Sequence, residues 1–463
     1  MTGRLCTRVI ATMAGTALLW LTACAGDDTT APESAPALSM SVEMKALAAE
    51  VRQLTGGRGI TALERPAPVR ATLVRLGQVL AFDKILSGNR DISCMTCHLP
   101  TFATGDGRSL SIGQGATGLG TSRVHPDGLF IPRNAPALFN LFAVKPLFWD
   151  GRVQQDQAGT FHTPAGTALT TAMTQVFEFG TLSALPLFPV LSREEMRAAG
   201  GNELAQVTDD HPEQVWQALM LRLGAIPEYR RLFEQAYPGQ HFADMTFAHA
   251  SNAIAGFFTA KLAFNDSPWD RFLAGNDAAM TRVQLQGAKN FMSARCSICH
   301  NGPALTDNQF HNVALAQLGP GKGDGASGRD DFGRMRETGV ATDRYAFRTP
   351  PLRNVELTAP YGHDGAFFSL RDFVDHYSES ALKLQNFNIG QLEPLLQGTV
   401  LATQTEILAT RDPLLTGVVF TPQVVDEVTE FMKALTDPAA RNLQVIVPGR
   451  VPSGLNVEGG LGR

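Results

Sequence analysis

Two short segments, Cys94-Met95-Thr96-Cys97-His98 and Cys296-Ser297-Ile298-Cys299-His300, share the spacing C-x-x-C-H. Two thiols at that spacing reach the two vinyl groups of one haem and form thioethers. The histidine that follows is placed to ligate the iron from one face. A single C-x-x-C also suits a redox dithiol or half of a zinc site. Two copies, each followed by His, with no other cysteines than Cys6 and Cys24, point to two covalent c-type haems. The ligating histidines stand 202 residues apart, which suggests two cytochrome-c-like domains with one haem each.

The other two cysteines belong to export. Residues 1–23 carry Arg4 and Arg8, then a mostly apolar run from Val9 to Leu21, and no acidic residue. Such a segment reads as a secretory signal, because its apolar stretch is too short to span a bilayer. It ends Leu21-Thr22-Ala23-Cys24, which resembles a lipoprotein cleavage site with Cys24 as the lipidated new N-terminus. Residues 25–38 are polar, carry two prolines and cannot pack a core, so 24–41 reads as a lipid-anchored flexible linker. The expected location is the periplasmic side of a bacterial membrane.

Helical periodicity recurs around the haem motifs. Val69, Leu73, Leu76 and Leu80 follow Pro68, and a second run passes from Asp210 and Pro212 through Val215, Leu219 and Leu223. Phe247, Ile254, Phe258 and Leu262 mark a third helix, and 278–293 leads into the second motif. Segments 101–133, 159–192 and 315–346 are rich in Gly, Pro, Thr and polar residues and read as long loops. Within the last, Gly319-Pro320-Gly321-Lys322-Gly323-Asp324-Gly325 has Gly323 where a phosphate-binding loop needs Ser or Thr, so it reads as a flexible loop. The expected fold is mainly α: a haem domain at 42–245, a second at 246–463, and irregular loops. A hydrophobic content of 44% excludes a disordered chain, and a net charge of −5 gives no electrostatic footprint for nucleic acid. Without Arg4 and Arg8 the charge becomes −7, which favours a basic partner.

The chain resembles the bacterial dihaem cytochrome c peroxidases and their MauG-type relatives. The resemblance rests on Phe82-Asp83-Lys84-Ile85-Leu86-Ser87 before the first motif, and on Arg133-Asn134-Ala135-Pro136 and Phe148-Trp149-Asp150-Gly151-Arg152 after it. Ser267-Pro268-Trp269-Asp270-Arg271-Phe272 precedes the second motif. Phe347-Arg348-Thr349-Pro350-Pro351-Leu352-Arg353-Asn354 and Leu357-Thr358-Ala359-Pro360-Tyr361-Gly362-His363-Asp364-Gly365 complete the set.

The resemblance implies that the His98 haem is peroxidatic and that Glu195, in a Glu-Met pair, is its general acid/base, with Glu194 as the neighbouring alternative. It implies an electron reservoir at the His300 haem, whose second ligand falls fourteen residues after His363, at Tyr377. His376 and Met335 are the alternatives there. Methionine at that position is the peroxidase pattern and tyrosine the MauG-type pattern; an anionic phenolate stabilises oxidised iron. Trp149 matches an inter-haem electron relay. Asn134, Thr358 and Pro360 match ligands of a calcium ion, to which their oxygens are suited.

Family members often cap the first iron with a histidine; here Gln114 stands in that loop, with His125 nearby. His363 reads as structural or proton-relaying, His249 as a packed or solvated helix residue, and His162, His211 and His241 as surface residues.

The leading expectation is an enzyme reducing hydrogen peroxide to water with electrons from a small exported cytochrome c or cupredoxin. The alternatives are a MauG-type enzyme that oxidatively modifies side chains of a partner protein, and a non-catalytic dihaem electron-transfer cytochrome. Each permits an oligomer.

Overall fold

Helix Ala71–Phe82 crosses helix Phe247–Lys261 so closely that a Cβ on Gly77 would lie 1.8 Å from the Ala253 carbonyl oxygen. Glycine is the residue that lets the two backbones touch there. The chain is described by a computed structural model over residues 40–459. The signal segment 1–23, Cys24 and linker residues 25–38 lie outside the described residues. Leu73, Leu76 and Leu80 meet Ile254, Phe257 and Phe258 across the crossing, as the periodicity predicts. Helices Pro212–Gly224 and Pro227–Ala236 enclose this first core, each with proline in its first turn, where no N–H is needed.

The second core repeats the device. Helix Arg282–Ser293 crosses helix Pro422–Lys433, and a Cβ on Gly287 would lie 1.8 Å from the Glu427 carbonyl oxygen. Thr281 and Gln284 form a capping box that starts the helix at 282; Ala278 and Ala279, expected within it, belong to a separate 3-10 turn, Asp277–Ala279. Trp269 and Phe431 pack edge to face with ring centroids 5.0 Å apart. Each C-x-x-C segment is a single helical turn, Cys94–Cys97 and Cys296–Cys299, beside its core.

Both cores cross the expected 245/246 boundary. Helix Val42–Gly56 packs Ala48 and Val51 into the second core, whereas Phe247–Lys261 belongs to the first. The C-terminal stretch also returns to the first core, burying Ala440, Leu443, Ile446 and Val451. There the Ser453 hydroxyl donates to Asp83, Lys84 pairs with Glu458 at 2.7 Å, and the Thr96 hydroxyl donates to Glu458.

Among the described residues the structure is mainly helical, with strands of two residues only. Phe310–His311 pairs antiparallel with Phe347–Arg348, and Gln154–Gln155 with Phe161–His162. Two expected loops are corrected. Segment 159–192 folds into short helical turns that bury Leu182, Leu187 and Val190 in the first core. Segment 319–325 is pinned: Lys322 N–H donates to the Asp330 carbonyl at 2.9 Å, and Arg336 donates to the Lys322 carbonyl at 3.0 Å. Apolar groups dispersed among glycines give no periodic signal, so neither segment was readable as packed structure. Among the described residues, no helix is long and apolar enough to cross a membrane.

Candidate functional site

Two cavities open beside the two C-x-x-C turns. The first encloses about 1160 Å³ including its mouth and is lined by Cys94, Cys97, His98, Trp149, Glu194, Glu195, Lys322 and Arg348, among others. The second encloses about 1900 Å³ including its mouth, and its lining includes Cys296, Cys299, His300, Trp149, Arg348 and Tyr377.

The donor sets in these cavities fit a covalent haem. His98 Nδ1 lies 2.8 Å from the Thr104 carbonyl oxygen and His300 Nδ1 lies 3.1 Å from that of Leu305. A carbonyl can only accept, so each Nδ1 carries the proton and each Nε2 keeps a free lone pair for a metal. Burial lowers both imidazole pKa values, that of His300 to about 4, so both rings are neutral near pH 7. Burial pushes the Cys94 and Cys296 thiols up to about 12, and that of Cys97 also rises. An activated redox dithiol needs the opposite shift, toward thiolate.

Glu195 sits on a π-helical turn, Arg193–Arg197, held on several sides. Its N–H donates to the Ser192 hydroxyl at 3.2 Å, its carbonyl accepts from Gln114 N–H at 3.0 Å, and the Met196 carbonyl accepts from Gly88 N–H at 2.7 Å. Such turns occur frequently at functional sites. The Glu195 side chain is half-buried, whereas Glu194 is exposed and its carboxylate accepts from the Ser192 hydroxyl at 3.1 Å. Burial raises the Glu195 pKa, Arg152 and Lys322 lower it, and the Glu194 charge raises it again.

The capping loop contributes no imidazole to the first cavity. Gln114 Oε1 accepts from Asn89 at 2.7 Å, and neither Gln114 nor His125 is part of the cavity wall. Arg123 ties this loop down through the carbonyls of Ile112, Gly113 and Gly118.

In the second cavity Tyr377 shares the lining with His300. His376 is turned elsewhere, its Nε2 lying 2.8 Å from the Val313 carbonyl oxygen, and neither His376 nor Met335 lines the cavity. Burial pushes the free Tyr377 phenol well above its ordinary value.

The cavities share a wall. Trp149, Asn134 and Arg348 line both, and Trp149 Nε1 donates to the Asn134 carbonyl at 2.9 Å. Behind it, Arg133 donates to Asp331 at 2.6 and 2.8 Å and to Asp150 at 2.5 Å, joining the two motifs that carry Asn134 and Trp149. Thr358 and Pro360 line the second cavity near Asn134. Among the described residues, no donor meets the Thr358 or Pro360 carbonyl, and Asn134 Nδ2 donates to the Arg108 and Ser109 carbonyls. These free oxygens suit a hard cation such as calcium. His363 is buried and stacks on Phe347 at 3.6 Å, with burial lowering its pKa to about 3. His249 caps its own helix with Thr246 and lies 3.0 Å from Gln240 Oε1.

Three site residues escape sequence reasoning. Arg348 is buried between the cavities, where burial lowers its pKa to about 10, and its position within the quoted Phe347-Arg348-Thr349-Pro350 motif was the available signal. His311 lies between Asp307 and Asp412, 3.0 and 2.5 Å away; burial opposes its charge, while Asp307, the Cys299 thiol and Asp412 raise its pKa. Lys322 enters the first cavity from the glycine-rich loop, with no local signal to mark it.

Residues 71–278 match the family described as Di-haem cytochrome c peroxidase. The cytochrome c551 peroxidase of Pseudomonas aeruginosa is 32% identical over 324 residues, covering 68% of this chain and 77% of that protein. The methylamine utilization protein MauG of Methylorubrum extorquens is 27% identical, covering 68% of this chain and 71% of that protein. Among solved structures, a MauG-like protein associated with microbial copper homeostasis superposes with a TM-score of 0.56 at 25% identity, over 83% of this chain and 95% of that one. The dihaem peroxidase BthA from Burkholderia thailandensis shares the fold at 19% identity, with a TM-score of 0.56 over 82% of this chain and 93% of that one. With two C-x-x-C-H turns, a cavity beside each and a relative at this level of identity, the chain belongs to the di-haem cytochrome c peroxidase family.

Proposed function

We propose that the chain is an exported peroxidase that reduces hydrogen peroxide to water with electrons from a small cytochrome c or cupredoxin. The asymmetry of the cavities carries this reading: the first brings one imidazole, His98, together with the Glu195 carboxyl, while the second brings His300 together with the phenol of Tyr377. The first cavity thus pairs one metal-ligating side chain with a carboxyl that can serve a small substrate, and the second offers two side chains that would ligate a metal.

Cys94 and Cys97 would attach the first haem and Cys296 and Cys299 the second, with His98, His300 and Tyr377 as iron ligands. When bound, the haems supply the redox-active iron that delivers two electrons to the peroxide bond. Glu195 takes the proton from the incoming oxygen and returns it to the departing one, so that two further protons from solvent complete two waters. Trp149 occupies the wall where an electron passes between the cavities, its indole held by the bond to Asn134. Asn134, Thr358 and Pro360 would hold calcium, tying the wall to the second cavity. The signal at 1–23 and Cys24 would export and lipid-anchor the protein, keeping it on the periplasmic side.

The half-buried Tyr377 favours a second reading, a MauG-type enzyme acting on side chains of a partner protein, because a phenolate ligand stabilises oxidised iron. Spectroscopy of the ferric holoprotein, before and after one equivalent of peroxide, tests both readings. A mixed high-spin and low-spin protein that reacts is expected. Two ligand-saturated haems that ignore peroxide even after partial reduction sink both. Rapid turnover with a reduced small cytochrome indicates the peroxidase, and a long-lived oxidised state indicates the modifying enzyme.

A further inference from the structure

The glycine-rich segment 319–325 is the one sequence motif that the peroxidase reading leaves without a task. It follows Leu315 and Leu318, which are buried together with Leu110, and reaches the first cavity. Gly319, Gly321 and Gly323 all have positive φ, of 78°, 66° and 86°. A Cβ on Gly319 would lie 2.2 Å from Leu110, and one on Gly321 1.9 Å from the Arg329 carbonyl oxygen. The turn is therefore wedged against the segment that follows the first C-x-x-C-H. Asp324 and Asp330 exchange backbone bonds across it, at 3.2 and 3.0 Å, and Arg329 donates to the Gly319 and Thr399 carbonyls at 3.3 and 2.8 Å. Between two left-handed glycines, this rigid turn delivers a single side chain, Lys322, to the cavity wall beside Arg152, Glu194 and Glu195.

The geometry points to Lys322 as a ligand-binding residue of the first cavity, whose ammonium receives a small monoanion such as hydroperoxide in the space that Glu195 also lines. Two observations support this. The side chain is half-buried yet makes no hydrogen bond or ion pair with either carboxylate among the described residues, so its donors remain available. Its neighbours also fix the sign of the field. Arg152 is engaged with Asp150 at 3.1 Å and stacked over Phe148 at 3.7 Å, and Arg133 is held by Asp150 and Asp331. Arg348, also in this wall, donates to the Phe148 and Thr349 carbonyls, so among the described residues Lys322 is the cation of this cavity without a hydrogen bond or ion pair. Burial and the charges of Arg152 and Arg133 lower its pKa, while Glu195 and Glu194 raise it, so an entering anion completes a partly desolvated charge.

The inference rests on the proposed open first cavity, and ligand titrations of the ferric holoprotein separate the two. Azide serves as the anionic probe and imidazole as the neutral one, followed by the absorbance of the first haem. In Lys322→Met, azide is expected to bind about tenfold more weakly, the scale set by one charge a few ångströms from another in a partly screened site. Imidazole affinity should stay within about twofold, and Lys322→Arg should restore azide binding. In the unaltered protein, azide affinity should fall as salt is raised while imidazole affinity does not. An unchanged azide affinity, or parallel loss of both ligands, overturns the role of Lys322 while leaving the open cavity standing. A shift of haem potential without any change in azide binding assigns Lys322 to the haem carboxylates instead, and also overturns it. An unaltered protein that binds neither ligand removes the open cavity, and with it both readings.

Discussion

Glu195→Gln is the substitution that bears most directly on the chemistry. The carboxyl is half-buried on a turn fixed by Ser192, Gln114 and Gly88, so an amide of the same shape keeps every backbone bond there. Only the ability to move a proton is removed. A positioned acid/base contributes about 100- to 10,000-fold, equivalent to about 2.7–5.4 kcal/mol of barrier. Stopped-flow measurement of the second-order reaction with peroxide should show a loss in that range.

The pH dependence supplies an independent check. Burial raises the Glu195 pKa, so the reaction should accelerate as pH rises through that raised value and then level off; the Gln variant should lack this limb. The sign for stability is opposite. A carboxyl whose folded pKa is raised holds its proton longer in the folded than in the unfolded state, so stability falls as pH rises through it. Glu195→Gln removes that penalty and should melt no lower than the parent at pH 7. A variant that reacts within about threefold of the parent and keeps its pH limb would falsify the assignment of Glu195 as the acid/base.

Further substitutions probe the framework. Gly77→Ala should destabilise the first core by about 1–3 kcal/mol in denaturant melts, because its Cβ meets a backbone oxygen that cannot move aside, and Gly287→Ala should do the same to the second. Arg133→Met leaves Asp150 and Asp331 buried without their shared cation, a loss of about 3–5 kcal/mol, measurable in the same melts. Tyr377→Phe should alter the low-spin spectrum of the holoprotein and raise the potential of the second haem; an unchanged spectrum eliminates Tyr377 as a ligand. Asp364 has an unpaired buried Oδ2, and burial raises its pKa to about 7. Its proton is retained in the folded state while the unfolded chain releases it near roughly pH 4, so stability should decline between these values; Asp364→Asn should gain on the parent across that window and stay ahead above it.

Local pattern made part of this structure legible. The run Leu73, Leu76, Leu80 predicts its helix because one face is apolar and a proline stands just upstream, and Pro212 marks another start in the same way. The C-x-x-C-H turns are legible because a covalent cofactor demands fixed residues at fixed spacing. Leu182, Leu187 and Val190 were not, since they reach the first core from turns too short to show a period. Nor were Arg348, His311 and Lys322, whose importance arises from what they face across a cavity. His311 has its raised pKa first from Asp307, four residues before it, and in part from Asp412, about a hundred residues away in sequence, a relation no local window contains.

The return of the C-terminal stretch to the first core makes completion of that core depend on residues far along the chain. Cys94, Cys97 and His98 are synthesised early, but the core beside them needs Phe247–Lys261 and then Ala440, Leu443, Ile446 and Val451. The second core needs only residues up to Leu435, including the early helix Val42–Gly56. The first motif therefore stays incompletely enclosed while nearly all the remaining chain is made, and the second can close before it. Because the Glu458 carboxylate accepts from Thr96 inside the first C-x-x-C turn, the first site is closed by residues far downstream of it in the chain. Truncation beyond the second core, after Leu435, should therefore impair the first site selectively.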